Sequence, residues 1–302
     1  MVMSSIFVQI ASYHDYELPR TIKDCIEKSS GNNIINIGVH HTFVNNDDIV
    51  LPEFENVKYY ISKAPENIGM GKSRLLAHQF YNNEDYYFQV DSHSRFKENW
   101  DVSLINDVLY YQKNGFEKPL ITCYPQAYRY VDFKVVTTQA DVTKITFSET
   151  SPGNFISSKI PLQHASTNNH GNIFSRSLSG GSIFTLKDFI SPNLKIAGHG
   201  EEIFLAAMAY TNGYDLLLPT SNVLFHLYYD HEDPIKCLRK MVWEDYSEEW
   251  NKISVESLSF IKNVLSGNLE GVLGISKTLE DFEMYTGLNF KEGIIDKDYD
   301  LC

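Results

Sequence analysis

The sequence predicts an α/β fold, a mostly parallel central sheet flanked by helices, with a helical extension at its C-terminal end. Three observations carry this expectation. Short runs of β-branched and aromatic residues alternate with amphipathic helical stretches over the first 125 residues, the pattern of a parallel sheet with helices on its faces. Two of the predicted strands run out into polar tips, at residues 12–15 and 91–93, and in such sheets ligands bind beyond the carboxyl ends of the strands. After Pro234 the chain turns helical and charged. The expected organisation is therefore a catalytic-type domain over residues 1–235 and a helical extension over 236–302 packed on it.

The elements are expected in the following order. Residues 6–11 (Ile-Phe-Val-Gln-Ile-Ala) read as a buried strand ending at Ser12-Tyr13-His14-Asp15. A helix follows, with Pro19 in its first turn and Ile22, Cys25 and Ile26 on one face, stopped by Gly31-Asn32-Asn33. Strands are expected at 34–39 and 57–61, and a helix at 69–81 with Leu75, Leu76 and Phe80 inward. A fourth strand at 86–90 ends at Asp91, a helix covers 100–111, and 119–123 is strand-like. Residues 125–175 are rich in Thr, Ser and turn formers and read as a loop or hairpin region near the site, including the run from Gln163 to Gly171. Gly180 to Phe184 opens another strand. Residues 201–211 form a clear helix with Ile203, Ala206, Ala207 and Tyr210 on a shared face, and strands at 216–218 and 223–227 precede helices around 243–250 and 254–265.

Composition narrows the functional classes. Hydrophobic residues make up 43% and charged residues 22% of 302, as in ordinary globular proteins. The formal net charge of −13 and the lack of any Lys/Arg run of five or more disfavour nucleic-acid backbones and anionic membranes. An acidic chain that handles a diphosphate needs a specific source of positive charge, and a bound metal is one solution. Cysteines 25, 123, 237 and 302 form no close pair, which argues against a zinc ribbon or redox motif and suggests reduced thiols. The start, Met1 to Ser12, has no basic segment or cleavage site, and no apolar stretch nears the ~20 residues that span a bilayer. A cytoplasmic protein without a membrane anchor is the expectation; the oligomeric state is left open.

Asp91-Ser92-His93 is the first chemical constellation. It delivers a carboxylate and an imidazole two residues apart at a strand end, where side chains at i and i+2 project to one side and suit one divalent cation. Mn²⁺ fits that donor pair well, with Mg²⁺ the less nitrogen-loving alternative. Against this stands the bland reading, in which Asp91 caps a turn and His93 is a surface residue. Gly69-Met70-Gly71-Lys72-Ser73 mimics the end of a P-loop, but the first glycine of G-x-x-x-x-G-K-S/T would fall on Glu66, so that reading is rejected. Arg74, just behind it, is either a phosphate or base contact or a solvated arginine. Gly198-His199-Gly200-Glu201-Glu202 opens a helix, where acidic residues either complement the dipole or contact sugar hydroxyls. His226 lies in an apolar run and is either a core histidine or a distant third metal ligand. His40-His41 lacks accompanying ligands. No G-x-S-x-G elbow and no G-x-G-x-x-G after the first strand are present, which removes serine-hydrolase and NAD-domain readings.

The order of these features resembles glycosyltransferases of the GT-A fold, and most of all the cytoplasmic-type N-acetylglucosaminyltransferases that modify hydroxyproline on a polypeptide. The matching segments are residues 7–13, 69–74, 89–93, 179–181, 200–203, His226 and 274–282, so the resemblance spans nearly the whole chain and is weakest over 125–175. Asp91-Ser92-His93 is also similar to the D-x-H motif of the polypeptide N-acetylgalactosaminyltransferases. The resemblance implies Asp91, His93 and His226 as Mn²⁺ ligands, Gly180, Gly181 and Glu201 near the donor sugar, Arg74 near the nucleotide, and Ser12, Tyr13 and His14 lining the uridine pocket. It departs from the family where the second strand often ends in paired aspartates: here the chain reads Val39-His40-His41.

What the resemblance implies for activity is a metal-dependent, retaining transfer of a sugar, GlcNAc by family, from a UDP-sugar to an acceptor hydroxyl on a polypeptide. Retention without an evident enzymic nucleophile implies front-face attack, with Glu201 positioning substrate and Asp91 acting at the metal. The alternatives are a glycan or a hydroxymethylated DNA base as acceptor, or a non-catalytic module that binds nucleotide sugars.

Overall fold

The computed structural model describes residues 3–44, 49–137, 142–148, 162–166, 173–187, 189, 191–228 and 241–295. In chain order the elements are β1 (Ser5–Tyr13), α1 (Leu18–Glu27), β2 (Ile34–Phe43), β3 (Val57–Lys63), α2 (Met70–His78), β4 (Tyr86–Asp91), β5 (Ser94–Phe96) and α3 (Trp100–Lys113). Then follow β6 (Pro119–Thr122), β7 (Gln126–Val131), β8 (Lys134–Thr137), β9 (Lys144–Ser148), β10 (Leu162–Ser166), β11 (Ser182–Leu186) and α4 (Glu201–Thr211). The chain continues through β12 (Asp215–Leu217), β13 (Leu224–His226), α5 (Val242–Asp245), α6 (Ser247–Leu265), α7 (Leu279–Thr286), β14 (Leu288–Asn289) and β15 (Ile294–Ile295).

The central sheet has seven strands in the order β12-β6-β11-β4-β1-β2-β3. It is mixed: β4, β1, β2 and β3 run parallel, β12 is parallel to β6, and β11 runs antiparallel to both of its neighbours. Alternation along the strands builds two cores. On β1, Ile6, Val8 and Ile10 join Ile22, Trp100, Leu104 and Val108 on one face, while Phe7 joins Phe204, Leu258, Ile261 and Phe282 on the other. Helices α6 and α7 thus contribute to the same apolar cluster as α4. The burial of these side chains, each worth about 1.5–3 kcal/mol, fixes the sheet that carries the polar tips.

Several elements differ from expectation. Strands β1 and β2 run on to Tyr13 and Phe43, so His40 and His41 lie inside a strand. His40 is buried, bonded to Ser73 Oγ (2.6 Å) and Ser62 Oγ (2.8 Å), and burial, aided by His41 and Lys72, lowers its pKa to about 4. It is a neutral link between β2, β3 and α2. The inward face of α2 carries Gly71, Ser73, Arg74 and Ala77, with Leu75 and Leu76 only half-buried. Gly71 is required by proximity, since a Cβ there would meet the Asn193 carbonyl oxygen at 1.9 Å. The first amides of α2, from Met70 and Gly71, are given to the carbonyls of Ala197 and Ile196, so this helix start presents no phosphate cradle and the rejection of a P-loop has a structural reason. Strand β5, helix α7 and the β14–β15 pair were not foreseen, being too short for periodicity to register. In the 125–175 region, β7 and β8 form a hairpin across Asp132 and Phe133, both with positive φ (49° and 62°), the twist a two-residue turn demands. The Gln163–Gly171 run lies partly outside the described residues, as do Cys237 and Cys302; Cys25 and Cys123 are free and buried.

Candidate active site

A second, four-stranded sheet in the order β5-β13-β7-β8 positions the site. β4 ends at Asp91, a tight turn holds Ser92 and His93, and β5 leaves in a new direction. β5 pairs antiparallel with β13, and His226 stands opposite Ser94. That register brings His226 to the imidazole of His93 although 133 residues separate them: their Nε2 atoms are 2.9 Å apart. His226 Nε2 also lies 3.2 Å from Asp91 Oδ2. One ligand atom from each of Asp91, His93 and His226 falls within 4.8 Å of the others. The 92–94 turn is pinned by α1, since Thr21 Oγ1 donates to the Ser92 carbonyl (2.7 Å) and accepts from Ser94 N (3.0 Å).

Asp91 faces two ways. Its Oδ2 meets His226, and its Oδ1 lies 3.3 Å from Arg74 Nη2. Burial acts to raise its pKa, but the hydrogen bond and charge of His226, with His93 and Arg74, hold it far below the usual carboxylate range. Arg74 is 2% exposed, and its Nε donates to Glu201 Oε1 at 2.9 Å while Nη2 donates to the Gly180 carbonyl at 2.9 Å. Burial disfavours its charge, yet Glu201 and Asp91 more than offset this and raise its pKa. Glu201 is raised by burial against the pull of Arg74. A Cβ on Gly181 would lie 2.5 Å from Asp91 Oδ2, so a side chain there would push the carboxylate away from its position. The arginine thus ties α2, α4, β4 and the turn before β11 into one buried unit.

Of the residues picked from the sequence, Asp91, His93 and His226 come together directly, and Arg74, Gly180, Gly181 and Glu201 form the adjoining unit around Asp91. Ser12 and Tyr13 line a cavity of about 210 Å³ that Asp91, Ser92 and His93 also line. Met241, Val242, Trp243 and Trp250 also line it, and Tyr13 Oη donates to Asp245 Oδ2 at 2.9 Å. His14 is not among the lining residues; its ring packs edge-on against Tyr16 at 5.3 Å. The sequence reading missed several contributors. Asp15 accepts from His93 Nδ1 (2.7 Å); Gln9 and Gln89 Nε2 donate to the carbonyls of Arg74 (2.9 Å) and Gly180 (2.7 Å); Glu202 accepts from Gly180 N (2.9 Å) and Tyr124 Oη (2.5 Å). The signal for the glutamines was a polar residue inside an apolar strand run, each of which needs a buried partner.

Burial pushes the Glu202 carboxyl up to about 7, against the Tyr124 and Gly180 hydrogen bonds that favour its charge. Folding therefore takes up a proton here that the unfolded chain releases near its ordinary value of 4.5. Stability from this group is complete below about 4.5 and is lost as pH rises through about 7. Glu202→Gln should then stabilise the metal-free protein by on the order of 2 kcal/mol at pH 8 and hardly at pH 4.5. Thermal melts at the two pH values check this; an equal effect at both would contradict it.

The mixed sheet with an acidic–histidine cluster at the end of a central strand has the arrangement of a GT-A-type glycosyltransferase, and the comparisons with known proteins give that class. Residues 53–292 match the family described as Glycosyltransferase (GlcNAc), and the chain belongs to that family. Among solved structures, the crystal structure of GalNAc-T7 with UDP, GalNAc and Mn²⁺ is similar with a TM-score of 0.53 at 11% identity, covering 95% of this chain and 55% of that one. The chain thus spans about half the length of that relative. S. aureus TarS 1–349 in complex with UDP-GlcNAc matches with a TM-score of 0.45 at 11% identity, over 94% of this chain and 70% of that 1–349 chain. No curated protein matches by sequence. Among the described residues no helix is long and apolar enough to cross a membrane.

Proposed function

We propose that this chain transfers a sugar, GlcNAc by its family, from a UDP-sugar to an acceptor hydroxyl on a polypeptide, with a divalent cation and with retention of the anomeric configuration. The observation that carries the proposal is the meeting of Asp91, His93 and His226 beside the cavity lined by Ser12 and Tyr13. One carboxylate oxygen and two imidazole nitrogens suit Mn²⁺, and the similar GalNAc-T7 was crystallised with UDP, GalNAc and Mn²⁺. Asp91, His93 and His226 would hold the ion, which when bound neutralises charge on a diphosphate leaving group. Ser12 and Tyr13 would take the nucleoside, and Gly180, Gly181 and Glu201 would face the sugar. Arg74, whose guanidinium is engaged by Glu201, Asp91 and Gly180, is better placed as the organiser of the two carboxylates than as a nucleotide contact. Residues 1–235 serve as the catalytic domain, and the extension over 236–302 contributes lining residues of the cavity through Met241, Val242, Trp243 and Trp250. The polypeptide acceptor rests on the sequence resemblance, and the charge of −13 disfavours DNA.

A panel of UDP-sugars assayed with Mn²⁺, Mg²⁺ or a chelator tests the donor side. UDP release is expected to be fastest with UDP-GlcNAc and Mn²⁺ and to cease with chelator. Tight donor binding without turnover under any condition would favour a non-catalytic module. Labelled sugar offered to peptide, glycan and hydroxymethylated DNA should appear on the peptide, and NMR of the product should show the donor's anomeric configuration.

A further inference from the structure

Asp15 is 1% exposed and is engaged through both oxygens. Oδ1 accepts from the Glu17 amide at 2.9 Å and closes the turn into α1. Oδ2 accepts from Ser92 Oγ at 2.6 Å and from His93 Nδ1 at 2.7 Å. An ionised carboxylate only accepts hydrogen bonds, so the contact at 2.7 Å requires the proton of His93 to sit on Nδ1. In the neutral ring Nε2 is then the lone-pair nitrogen, and Nε2 is the atom that faces His226 Nε2 at 2.9 Å. The remaining partners agree with this assignment: His226 Nε2–H can be shared between His93 Nε2 and Asp91 Oδ2 at 3.2 Å. The ring is also fixed in angle, because the turn bearing it is held by Thr21 and the carboxylate is anchored by the backbone of α1's approach.

We propose that Asp15 is a positioning residue for metal binding: it fixes the tautomer and orientation of His93 so that Nε2 is presented to a divalent cation. The proposal rests on the metal-site reading above. Histidine ligands commonly give their second nitrogen to a carboxylate, and losing such a partner typically lowers metal affinity 10- to 100-fold. The Asp15 carboxylate is one strand away from the ligand it serves, at the tip of β1, so the polar ends of β1 and β4 meet in a single site.

The test uses Asp15→Asn, which preserves size and the turn acceptor, beside His93→Ala and the unmodified chain. Free Mn²⁺ is counted by electron paramagnetic resonance during titration of metal-free protein. Two-dimensional ¹⁵N NMR of the histidine rings reads the tautomer without any metal. The unmodified chain should show His93 with its proton on Nδ1. Asp15→Asn should bind Mn²⁺ about 10- to 100-fold more weakly, shift the Mn²⁺ concentration for half-maximal turnover by the same factor, and keep the plateau rate. His93→Ala should lose the site. If the unmodified chain binds no Mn²⁺, the metal-site reading fails. If it binds Mn²⁺ and His93→Ala does not, while Asp15→Asn binds as tightly as the unmodified chain or His93 carries its proton on Nε2, the positioning role fails alone. A circular dichroism melt identifies an unfolded Asn variant; Asp15→Ser, with a short turn acceptor and no carboxylate, then replaces it in the same titration.

Discussion

His226→Ala is expected to remove metal-dependent turnover by about 10³-fold or more, corresponding to about 4 kcal/mol of transition-state stabilisation. His93→Ala should do the same. Both residues contribute imidazoles to the Asp91–His93–His226 group, and on the proposed function removing either leaves two donors for a cation that would also bind a diphosphate. The fold should survive, with stability losses inside the ~0.5–3 kcal/mol of ordinary substitutions, because the sheet is held by the apolar residues of β1, β4 and β11 rather than by the histidines. Asp91 is a less clean test. Its Oδ1 serves Arg74 while its Oδ2 serves His226, so Asp91→Ala strips the buried arginine of a partner as well as the proposed cation of a ligand. Asp91→Asn separates the two, keeping a polar partner while weakening the charge. Steady-state UDP release with Mn²⁺ and with chelator checks all three; a His226→Ala protein that retains full chelator-sensitive activity would overturn the site assignment.

The second large effect concerns stability. Arg74→Met should cost about 3–5 kcal/mol, the usual result of removing one partner from a buried ion pair. Glu201 is left buried with its charge and no cation, at 2.9 Å from where the guanidinium stood, and the Gly180 carbonyl loses a donor. Urea denaturation should show a lower midpoint with an unchanged slope. Adding Glu201→Gln should recover part of the loss, since the stranded charge goes with it, and the coupling in that double-mutant cycle measures the pair. A loss below about 1 kcal/mol would place Arg74 among the weakly contributing surface arginines. That outcome is at odds with an exposure of 2%.

Much of this molecule was legible along the chain. Periodicity gave the order of the longer strands and helices through α3, with the three-residue β5 passed over, because long apolar runs and amphipathic repeats are local properties. The polar tips at 12–15 and 91–93 marked the ends of β1 and β4. The collinear order of Asp91-Ser92-His93, Gly180-Gly181, Glu201 and His226 suggested a glycosyltransferase, and the family match over 53–292 agrees. The helix α4 was legible as a helix but not as a buried one, since Phe204, Leu205 and Ala209 are enclosed alongside the predicted face. Its all-round burial depends on α6 and α7 arriving from far down the chain.

Tertiary structure alone decided the rest, and the reason lies in how far apart the partners are. An isolated histidine in an apolar run, such as His226, has no local mark that separates a ligand from a core residue. Only the pairing of β13 with β5 sets it opposite Ser94 and so beside His93. Arg74 gave no sign of whether it was solvated; packing of α2 against β1 and β2 desolvates it, and a desolvated cation must be met by charges, which Glu201 and Asp91 supply. Asp15 was visible as a polar residue at a strand tip, but its bond to His93 exists because β1 and β4 are neighbours in register, Ala11 beside Asp91. Local sequence marks which residue types and which segments can carry the chemistry. Strand pairing determined which of them share an atom-scale site, because hydrogen bonds and metal ligation act over about 3 Å and the chain separations involved run to more than a hundred residues.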